Sequence, residues 1–208
     1  MSIGGAMSGK SEGPGDGVEP RGHMERRVRT DVQRNLDALL QSAKAVFATT
    51  GVDAPVREIA EKAGVGIGTF YRHFPQRADL IAAVFRHEID TCAKAAPILA
   101  AEHPPGEALA KWLHRYAAFI ATKRGLAPAL HSGNPAFETL RAHFEQRVRP
   151  ALRTLLESAV AAGEIRSDVE SDDLLHAVAS LCMPVQDDGR AHRMVALLID
   201  GLRCGKRP

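Results

Sequence analysis

The chain has 208 residues, a hydrophobic content of 45% and a formal net charge of only +2. The length fits a small domain plus one larger domain, and the hydrophobic content is sufficient for a buried core. The low net charge excludes a generic polycation, and no apolar run approaches the ~18 residues that a membrane-spanning helix needs.

Cysteine and histidine usage argues against metal and disulfide chemistry. The three cysteines, Cys92, Cys182 and Cys204, lie far apart and form no C-x-x-C pair, and the nine histidines show no metal-binding spacing. Buried apolar cysteines are the favoured interpretation, with a thiol sensor as the alternative. Since the N-terminus also lacks the apolar core of a signal peptide, we predict a cytoplasmic protein with no metal and no cofactor.

The amino-acid composition of the first 50 residues changes from a polar tail to a basic segment and then to an apolar helical pattern. Residues 1–24 are rich in Gly, Ser, Glu and Pro, which predicts a disordered tail. Residues 25–34 carry four arginines, typical either of a solvated lead-in to a helix or of an arm that contacts DNA phosphate or the minor groove. A first helix is predicted over residues 31–49, where apolar residues recur at helical spacing and Gly51 follows.

Residues 56–74, VREIAEKAGVGIGTFYRHF, indicate two short helices joined by a tight turn. The first, Val56–Ala63, places apolar residues at i, i+3, i+4 and i+7, and Asp53 is its predicted N-cap. Gly64 ends it because glycine adopts the left-handed conformation without penalty. The second covers residues 66–74, with Phe70 and Phe74 on its core face. This pattern is typical of a helix-turn-helix, with a helical hairpin that has no DNA role as the alternative.

The residues of this region resemble the DNA-binding domain of the TetR family of bacterial transcriptional repressors. The resemblance extends from about Leu36 to Ala83, and the shared positions are Phe47, Gly51, Ile59-Ala60, Ala63-Gly64-Val65, Gly68 to Phe74, Arg77 and Leu80. It implies an all-α fold with an N-terminal three-helix helix-turn-helix DNA-binding domain and a larger C-terminal helical ligand-binding and dimerisation domain. We therefore predict three segments: the tail at 1–24, the DNA-binding domain at 25–78 and the C-terminal domain at 79–208.

Seven residues are predicted to contact DNA. Thr69, Tyr71 and His73 match family positions that bind phosphates or bases, and Arg77 stands where the family usually has lysine. Residue chemistry adds Arg57 as a phosphate contact, Ile67 for a thymine methyl and Gly68 for close backbone approach. Residues 21–86 carry 11 Lys and Arg against 7 Asp and Glu, a balance of +4 that suits phosphate binding.

The rest of the chain is predicted to be helical throughout. Helices are expected over residues 77–95, 107–123, 126–131 and 136–162, then from a Ser171-Asp172-Asp173 cap, and finally over 189–204. Pro97 is expected to mark a break and Pro150 to bend or divide its helix. The resemblance implies that the last two helices form the interface of a homodimer.

The resemblance also implies a small effector held within the C-terminal domain. The candidates are aromatic and polar side chains on apolar helix faces: Trp112, Tyr116, Phe119, His131, Phe137, Phe144 and Met183. A core position is the competing interpretation for each. Their mostly apolar chemistry favours an aromatic or lipophilic effector.

The predicted function is a dimeric transcriptional repressor, released from a palindromic double-stranded DNA operator by a small-molecule effector. An enzyme is the rival from another class, and we predict no catalytic residues because no nucleophile, phosphate-loop or metal motif occurs. The pairs His114 with Glu107 and His143 with Glu145 fit solvated helix faces better than acid–base sites. A sensor or interaction module with weakened DNA binding is the third hypothesis, suggested by Gly66 and Gly68.

Overall fold

A computed structural model describes residues 21–130, 132–183 and 188–203. The described residues form eight α-helices and a short 3-10 turn at Pro135–Phe137. The helices are α1 (Arg21–Thr50), α2 (Val56–Ala63), α3 (Ile67–His73), α4 (Arg77–Glu102), α5 (Pro105–Leu130), α6 (Glu138–Ala161), α7 (Ser171–Cys182) and α8 (Asp188–Leu202). Within these ranges the only β-type pairing is an isolated bridge between Ile165 and Arg203. The prediction of an all-α fold is confirmed.

The chain divides into two compact units, residues 1–34 and 35–208. In the first unit the described part is the N-terminal portion of α1, which begins at Arg21 rather than at residue 31. The early start shows that helix-favouring Arg, Glu and Met sustain a helix before the apolar stripe begins. Of the predicted tail, residues 1–20 lie outside the described residues and residues 21–24 are helical.

The turn between α2 and α3 has the predicted geometry. Gly64 has a φ of 67° and caps α2 in the left-handed conformation. Its N–H donates to the carbonyl of Glu61 at 3.0 Å, and the N–H of Val65 donates to the carbonyl of Ala60 at 3.0 Å. These bonds satisfy the last carbonyls of α2 and reverse the chain within three residues. Gly66 then forms the N-cap of α3, as predicted.

Three proline positions correct the predicted helix bounds. Helix α4 continues through Pro97 to Glu102, α5 continues past Gly125 and Pro128 to Leu130, and Pro150 does not divide α6. An interior proline costs about 3 kcal/mol of helix stability. Each helix nevertheless buries residues beside or beyond the interruption, such as Ala96 in α4, Leu126 in α5 and Leu152 in α6. Tertiary packing therefore overrides the local signal.

Two predicted caps are also wrong. Helix α2 has Pro55 at its N-cap position with no side-chain bond, so Asp53 does not cap it. Helix α7 has Glu170 at its N-cap, and Ser171 to Asp173 lie inside its first turn. Asp172 instead forms an ion pair with Arg149 of α6, at 2.6 Å. The Asp172 carboxylate therefore pairs with a guanidinium on a neighbouring helix instead of capping its own helix.

A single hydrophobic core extends from α1 to α8 within residues 35–208. Helix α4 packs against both α5 and α6, so it lies at the centre of this unit. The predicted domain boundary at residues 78–79 falls in the first turn of α4, which crosses it without interruption. The division into a DNA-binding and a C-terminal domain stays a prediction, but the two parts share one continuous core.

Candidate DNA-contact surface and C-terminal cavity

Helix α3 presents one buried face and one exposed face. Phe70 is 1% exposed and Phe74 is also buried, which confirms the predicted core role of both. One residue further, Tyr71 is 53% exposed, and Ile67, one turn earlier, is 45% exposed. Gly68 is exposed as well, and a Cβ atom added to it would meet no heavy atom within 4 Å. The exposed residues of α3 are therefore Ile67, Gly68, Tyr71 and Arg72.

The other residues predicted to contact DNA differ in how exposed their side chains are. Thr69 and His73 are half-buried in α3, and Arg57 is exposed on α2, which packs against α3. Further towards the N-terminus, the backbone of Arg26, Arg27 and Arg29 is helical, and their side chains lie outside what the structure describes. The roles of these residues in DNA binding stay predictions.

Arg77 has a structural role that the sequence did not indicate. Its guanidinium donates to the carbonyl of Ala54 at 2.8 Å and also to the carbonyl of Val52. Both carbonyls belong to the loop between α1 and α2, so the side chain fixes that loop against the start of α4. Arginine suits this role because its planar fork donates to two acceptors at once. Any phosphate contact by Arg77 would be made by a side chain already engaged in this way.

The junction between α1 and α4 contains a buried carboxylate. Glu88 is 7% exposed, and one of its oxygens accepts a hydrogen bond from Lys44 Nζ at 2.6 Å. Next to it, the Gln41 side chain and the His87 ring lie within hydrogen-bonding distance, at 3.1 Å. A carboxylate withdrawn from water needs such a cation, since burial penalises the charged form. This ion pair ties the first helix of the DNA-binding region to α4.

A cavity of about 520 Å³ lies among α4, α5, α6 and α7. Its apolar wall is mostly aromatic and consists of Phe85, Tyr116, Phe119, Ile120, Phe137, Leu140, Phe144, Leu175 and Ala179. The rings contact one another, with centroids of Phe119 and Phe144 at 6.0 Å and those of Phe85 and Phe119 at 5.3 Å. Its polar lining consists of Arg141, Glu145, Arg149, Asp172 and His176.

The charged groups of the cavity are paired with one another. Arg149 bonds Asp172 at 2.6 Å, and Arg141 bonds Glu145 at 3.2 Å. Nδ1 of His176 lies 2.7 Å from the carbonyl oxygen of Asp172, so it carries the proton and donates. The Nε atom of Arg149 is enclosed and finds no acceptor among the described residues.

The cavity contains some of the predicted effector residues and omits others. Tyr116, Phe119, Phe137 and Phe144 line it. Trp112 does not line it, because the indole is fully buried and donates to the carbonyl of Cys92 at 3.0 Å. Met183 is exposed and does not line this cavity, so its pocket role stays a prediction. His131 lies outside the described residues.

Sequence reasoning missed Phe85 and the whole polar rim. Phe85 of α4 is buried and also borders the cavity. Arg149 and His176 belong to the consecutive helices α6 and α7, and charged residues on a helix face ordinarily point to solvent. Only the apposition of α6 and α7 brings them to one opening.

The two acid–base pairs considered from sequence, His114 with Glu107 and His143 with Glu145, do not form. His143 bonds Asp90 at 2.9 Å, while Glu145 bonds Arg141. Glu107 contacts His103 and Lys111, and the ring of His114 instead stacks on that of His192 with centroids 3.9 Å apart. Burial, and secondly the neighbouring His192, lowers the pKa of His114.

The state of the Cys92 thiol, the lack of a metal-binding cluster and the character of the helices further describe the part of the chain that the structure covers. Burial raises the pKa of the Cys92 thiol to about 12, which keeps it protonated, as expected of a buried apolar cysteine. Among the residues described, no group of three or more His, Cys, Asp or Glu is placed to hold a metal ion. None of the described helices combines the length and apolarity needed to cross a bilayer.

Comparison with known proteins assigns the family. Residues 39–84 match the family described as bacterial regulatory proteins, tetR family, and residues 104–204 match the C-terminal domain described as transcriptional regulator SbtR-like. Helix-turn-helix-type transcriptional regulators of Staphylococcus aureus are 33% identical over 64 residues, which is 30% of this chain. The chain spans only 35% of the length of those curated relatives.

Solved structures extend the similarity over most of the chain. The crystal structure of a TetR transcriptional regulator from Streptomyces coelicolor is 39% identical, with a TM-score of 0.73, and the match covers 82% of this chain and 99% of that one. A TetR transcription regulatory protein from Mycobacterium vanbaalenii is 32% identical, with a TM-score of 0.68 and coverage of 85% and 99%. The chain belongs to the TetR family of transcriptional regulators.

Proposed function

We propose that this regulator is a cytoplasmic homodimeric repressor that a small effector releases from a palindromic operator. The observation that carries the proposal is the position of α4 between the cavity and the DNA-binding helices. Phe85 borders the cavity, and Glu88, one turn later on α4, is tied to Lys44 of α1. At the start of α4, Arg77 holds the loop that precedes α2. A displacement of α4 by a ligand would therefore reach both α1 and α2.

DNA recognition in this proposal relies on the exposed face of α3. Ile67 is suited to contact a thymine methyl, Gly68 allows close backbone approach, and the hydroxyl of Tyr71 is free to reach phosphate. Arg57, Thr69 and His73 would add contacts around them. Arg72 is an exposed guanidinium on α3, but the predicted base-contact positions Ile67 and Gly68 carry no bidentate donor, so DNA shape and phosphate contacts would supply much of the binding free energy.

Dimerisation is proposed through α7 and α8. Leu197 of α8 is 72% exposed, whereas Val195 and Ile199 of the same helix are buried, so an apolar side chain remains available on the outer face of α8. Two such α3 helices in a two-fold dimer would read half-sites about 34–36 Å apart. Sedimentation of the wild type and of Leu197→Arg tests this: we expect a dimer and a monomer, respectively, whereas identical sedimentation would contradict the proposed interface.

Release would follow from a population shift. The dimer samples a state with operator spacing and a state with a different spacing, and the effector prefers the second. An effector shifts this equilibrium only through its difference in affinity for the two states. The cavity supports such a preference because it is built from four helices, including α4, and its volume depends on how they are placed.

The test is a fluorescence-anisotropy titration against DNA fragments tiled across the region upstream of the gene, at two salt concentrations. We expect tight, salt-sensitive binding to one fragment, because phosphate contacts release counterions. Tyr71→Ala should abolish this preference. The matched control is Lys111→Ala, which removes an exposed cation from α5 and should bind as the wild type does. Equal, weak binding to every fragment by all three proteins would contradict the proposal and favour a sensor module.

A further inference from the structure

The Tyr116 side chain is an unusual element of the cavity wall. The residue is only 3% exposed and borders the cavity, yet its hydroxyl forms no hydrogen bond with any described residue. Its ring stacks on Trp112 at a centroid distance of 5.7 Å and on Phe119 at 6.0 Å, which fixes its position. The hydroxyl oxygen is not among the fully enclosed unpartnered atoms of the described residues, so it is accessible from the cavity and a ligand can reach it.

The hydroxyl is suited to donate rather than to carry charge. Burial raises the pKa of Tyr116 well above its usual value, with the neighbouring Cys92 and Cys182 as smaller causes. The group therefore stays protonated at neutral pH and offers one O–H donor within a wall of aromatic rings. The Nε atom of Arg149 also lacks a partner among the described residues, but it is enclosed by protein and does not face the open space.

The charges around the cavity disfavour an ionic ligand. Two guanidiniums and two carboxylates line it and are paired as Arg149 with Asp172 and Arg141 with Glu145, so their formal charges cancel. The side chain of Arg141 is also 89% exposed, so solvent screens its charge and it offers a ligand carboxylate little net attraction. An uncharged ligand leaves both ion pairs intact.

We propose that the cavity takes an uncharged aromatic molecule whose carbonyl oxygen accepts a hydrogen bond from the Tyr116 hydroxyl. This inference rests on the proposed effector role of the cavity and names the chemistry of that effector. The aromatic wall supplies stacking contacts, and a volume of about 520 Å³ admits a molecule of ordinary drug size. The hydrogen bond fixes the orientation of the ligand, since it is the one polar contact available within the apolar wall.

Calorimetric titration of the full-length protein with three naphthalenes of similar shape tests the proposal. 2-Acetylnaphthalene carries the carbonyl, 2-isopropenylnaphthalene replaces its oxygen by a CH₂ group, and 2-naphthoate replaces its methyl by a charged oxygen. We expect the acetyl compound to bind about 3–10-fold more tightly than the isopropenyl compound, as one net hydrogen bond provides. The naphthoate should bind more weakly than the acetyl compound.

Tyr116→Phe removes the hydroxyl and keeps the ring. In this variant the affinity for the acetyl compound should fall to that for the isopropenyl compound, while the isopropenyl compound binds as before. The matched control is Tyr71→Phe, the same change at the chain's only other tyrosine, on the exposed face of α3. It should leave all three affinities unchanged.

The outcomes separate this inference from the proposed function. Equal affinity for the acetyl and isopropenyl compounds in the wild type, tightest binding by the naphthoate, or no binding by any of the three would overturn the assignment to Tyr116. The anisotropy titration with operator fragments is independent of these ligands. Specific DNA binding there would leave the repressor proposal standing even if the ligand chemistry fails.

Discussion

The candidate DNA-contact surface and the candidate effector cavity are built in opposite ways. The surface comes from one continuous stretch, residues 56–74, in which two short helices and a three-residue turn set the position of every side chain. The cavity collects side chains from α4, α5, α6 and α7, from Phe85 to Ala179. A local motif can be predicted from sequence because the spacing of residues along a helix determines which face each residue occupies. A cavity between four helices depends on packing that no local spacing encodes.

The two regions also divide stability and function differently. On α3, adjacent residues have separate environments, with Phe70 buried in the core and Tyr71 exposed to solvent, where we propose that it contacts DNA. In the cavity, one ring serves both tasks, as Tyr116 packs against Trp112 and at the same time borders the open space. Substitutions on α3 should therefore separate folding from binding cleanly, whereas those in the cavity wall should affect both.

The sharpest separation is expected for Phe70 and Tyr71. Phe70→Ala removes a fully buried ring and should lower the free energy of unfolding by about 3–5 kcal/mol. Tyr71→Ala removes an exposed ring and should change it by less than about 0.5 kcal/mol while weakening operator binding at least about tenfold. Urea unfolding and anisotropy on both variants measure the two effects. Similar stability losses in both would mean that the two faces of α3 are not distinct.

The link between the regions is tested at Lys44 and Glu88. Lys44→Met leaves the Glu88 carboxylate, which is 7% exposed, without its cation. We expect the free energy of unfolding to fall by about 2 kcal/mol, less than for a fully buried ion pair because Lys44 is partly exposed. Adding Glu88→Leu should recover part of this loss, since the uncompensated charge is then gone. Thermal unfolding of both variants provides the measurement.

The control is the exposed ion pair between Glu107 and Lys111, whose side chains are both about half accessible. Lys111→Met should change stability by less than about 0.5 kcal/mol, because solvent screens that pair. If Lys44→Met proved equally harmless, the contact between α1 and α4 would carry no energetic coupling between the cavity and the DNA-binding helices.

A smaller effect of opposite sign is expected at Gly68. A Cβ atom there meets no neighbour within 4 Å and the residue lies in a helix. Gly68→Ala should therefore raise the free energy of unfolding by about 0.5 kcal/mol, through the lower entropy of the unfolded chain. It should also weaken operator binding, because the added methyl prevents close backbone approach. A variant that is stabilised and binds DNA normally would show that Gly68 does not lie against the groove.

The smallest effect concerns pH and lies outside both regions, where α5 meets α8. Burial lowers the pKa of His114, whereas in the unfolded chain the residue titrates near about 6.5. Above about pH 7 neither state binds this proton, so the group contributes no pH dependence. As the pH falls below about 6.5, the unfolded chain takes up the proton first, and stability decreases. Between pH 7.5 and 5.5, the free energy of unfolding in urea should decrease less steeply for His114→Gln than for the wild type. Parallel decreases in the two proteins would show that His114 does not cause this pH dependence.

The predictions from sequence were most accurate where local rules apply. The turn at Gly64, the core roles of Phe70 and Phe74, and the exposed Ile67 all follow from residue spacing and from the conformational freedom of glycine at a positive φ. They were less accurate where tertiary packing overrides a local signal. Pro97 predicted a break, yet α4 continues because it buries residues next to the proline, and of the two outcomes predicted for Pro150, bending or division of the helix, division does not occur.

Most of the residues that line the candidate cavity also escaped prediction, for a physical reason. Residue type identified Tyr116, Phe119, Phe137 and Phe144, because large aromatics on apolar faces must lie inside the protein. It did not distinguish them from Trp112, whose indole is packed away from the cavity against the carbonyl of Cys92. It also did not indicate that Arg149 and Asp172, charged residues of separate helices, would pair at the opening.

The sequence by itself determined the all-α fold, the helix-turn-helix and the two faces of α3, because backbone propensity, helical spacing and glycine conformation act over a few residues. Only the tertiary structure decided that Arg77 holds a loop, that Glu88 is buried beside Lys44, and that Tyr116 keeps an unpartnered hydroxyl within the cavity wall. These features depend on which helices meet and at what distance. Burial and hydrogen-bond satisfaction are properties of the packed chain, and they arise only when residues remote in sequence come into contact.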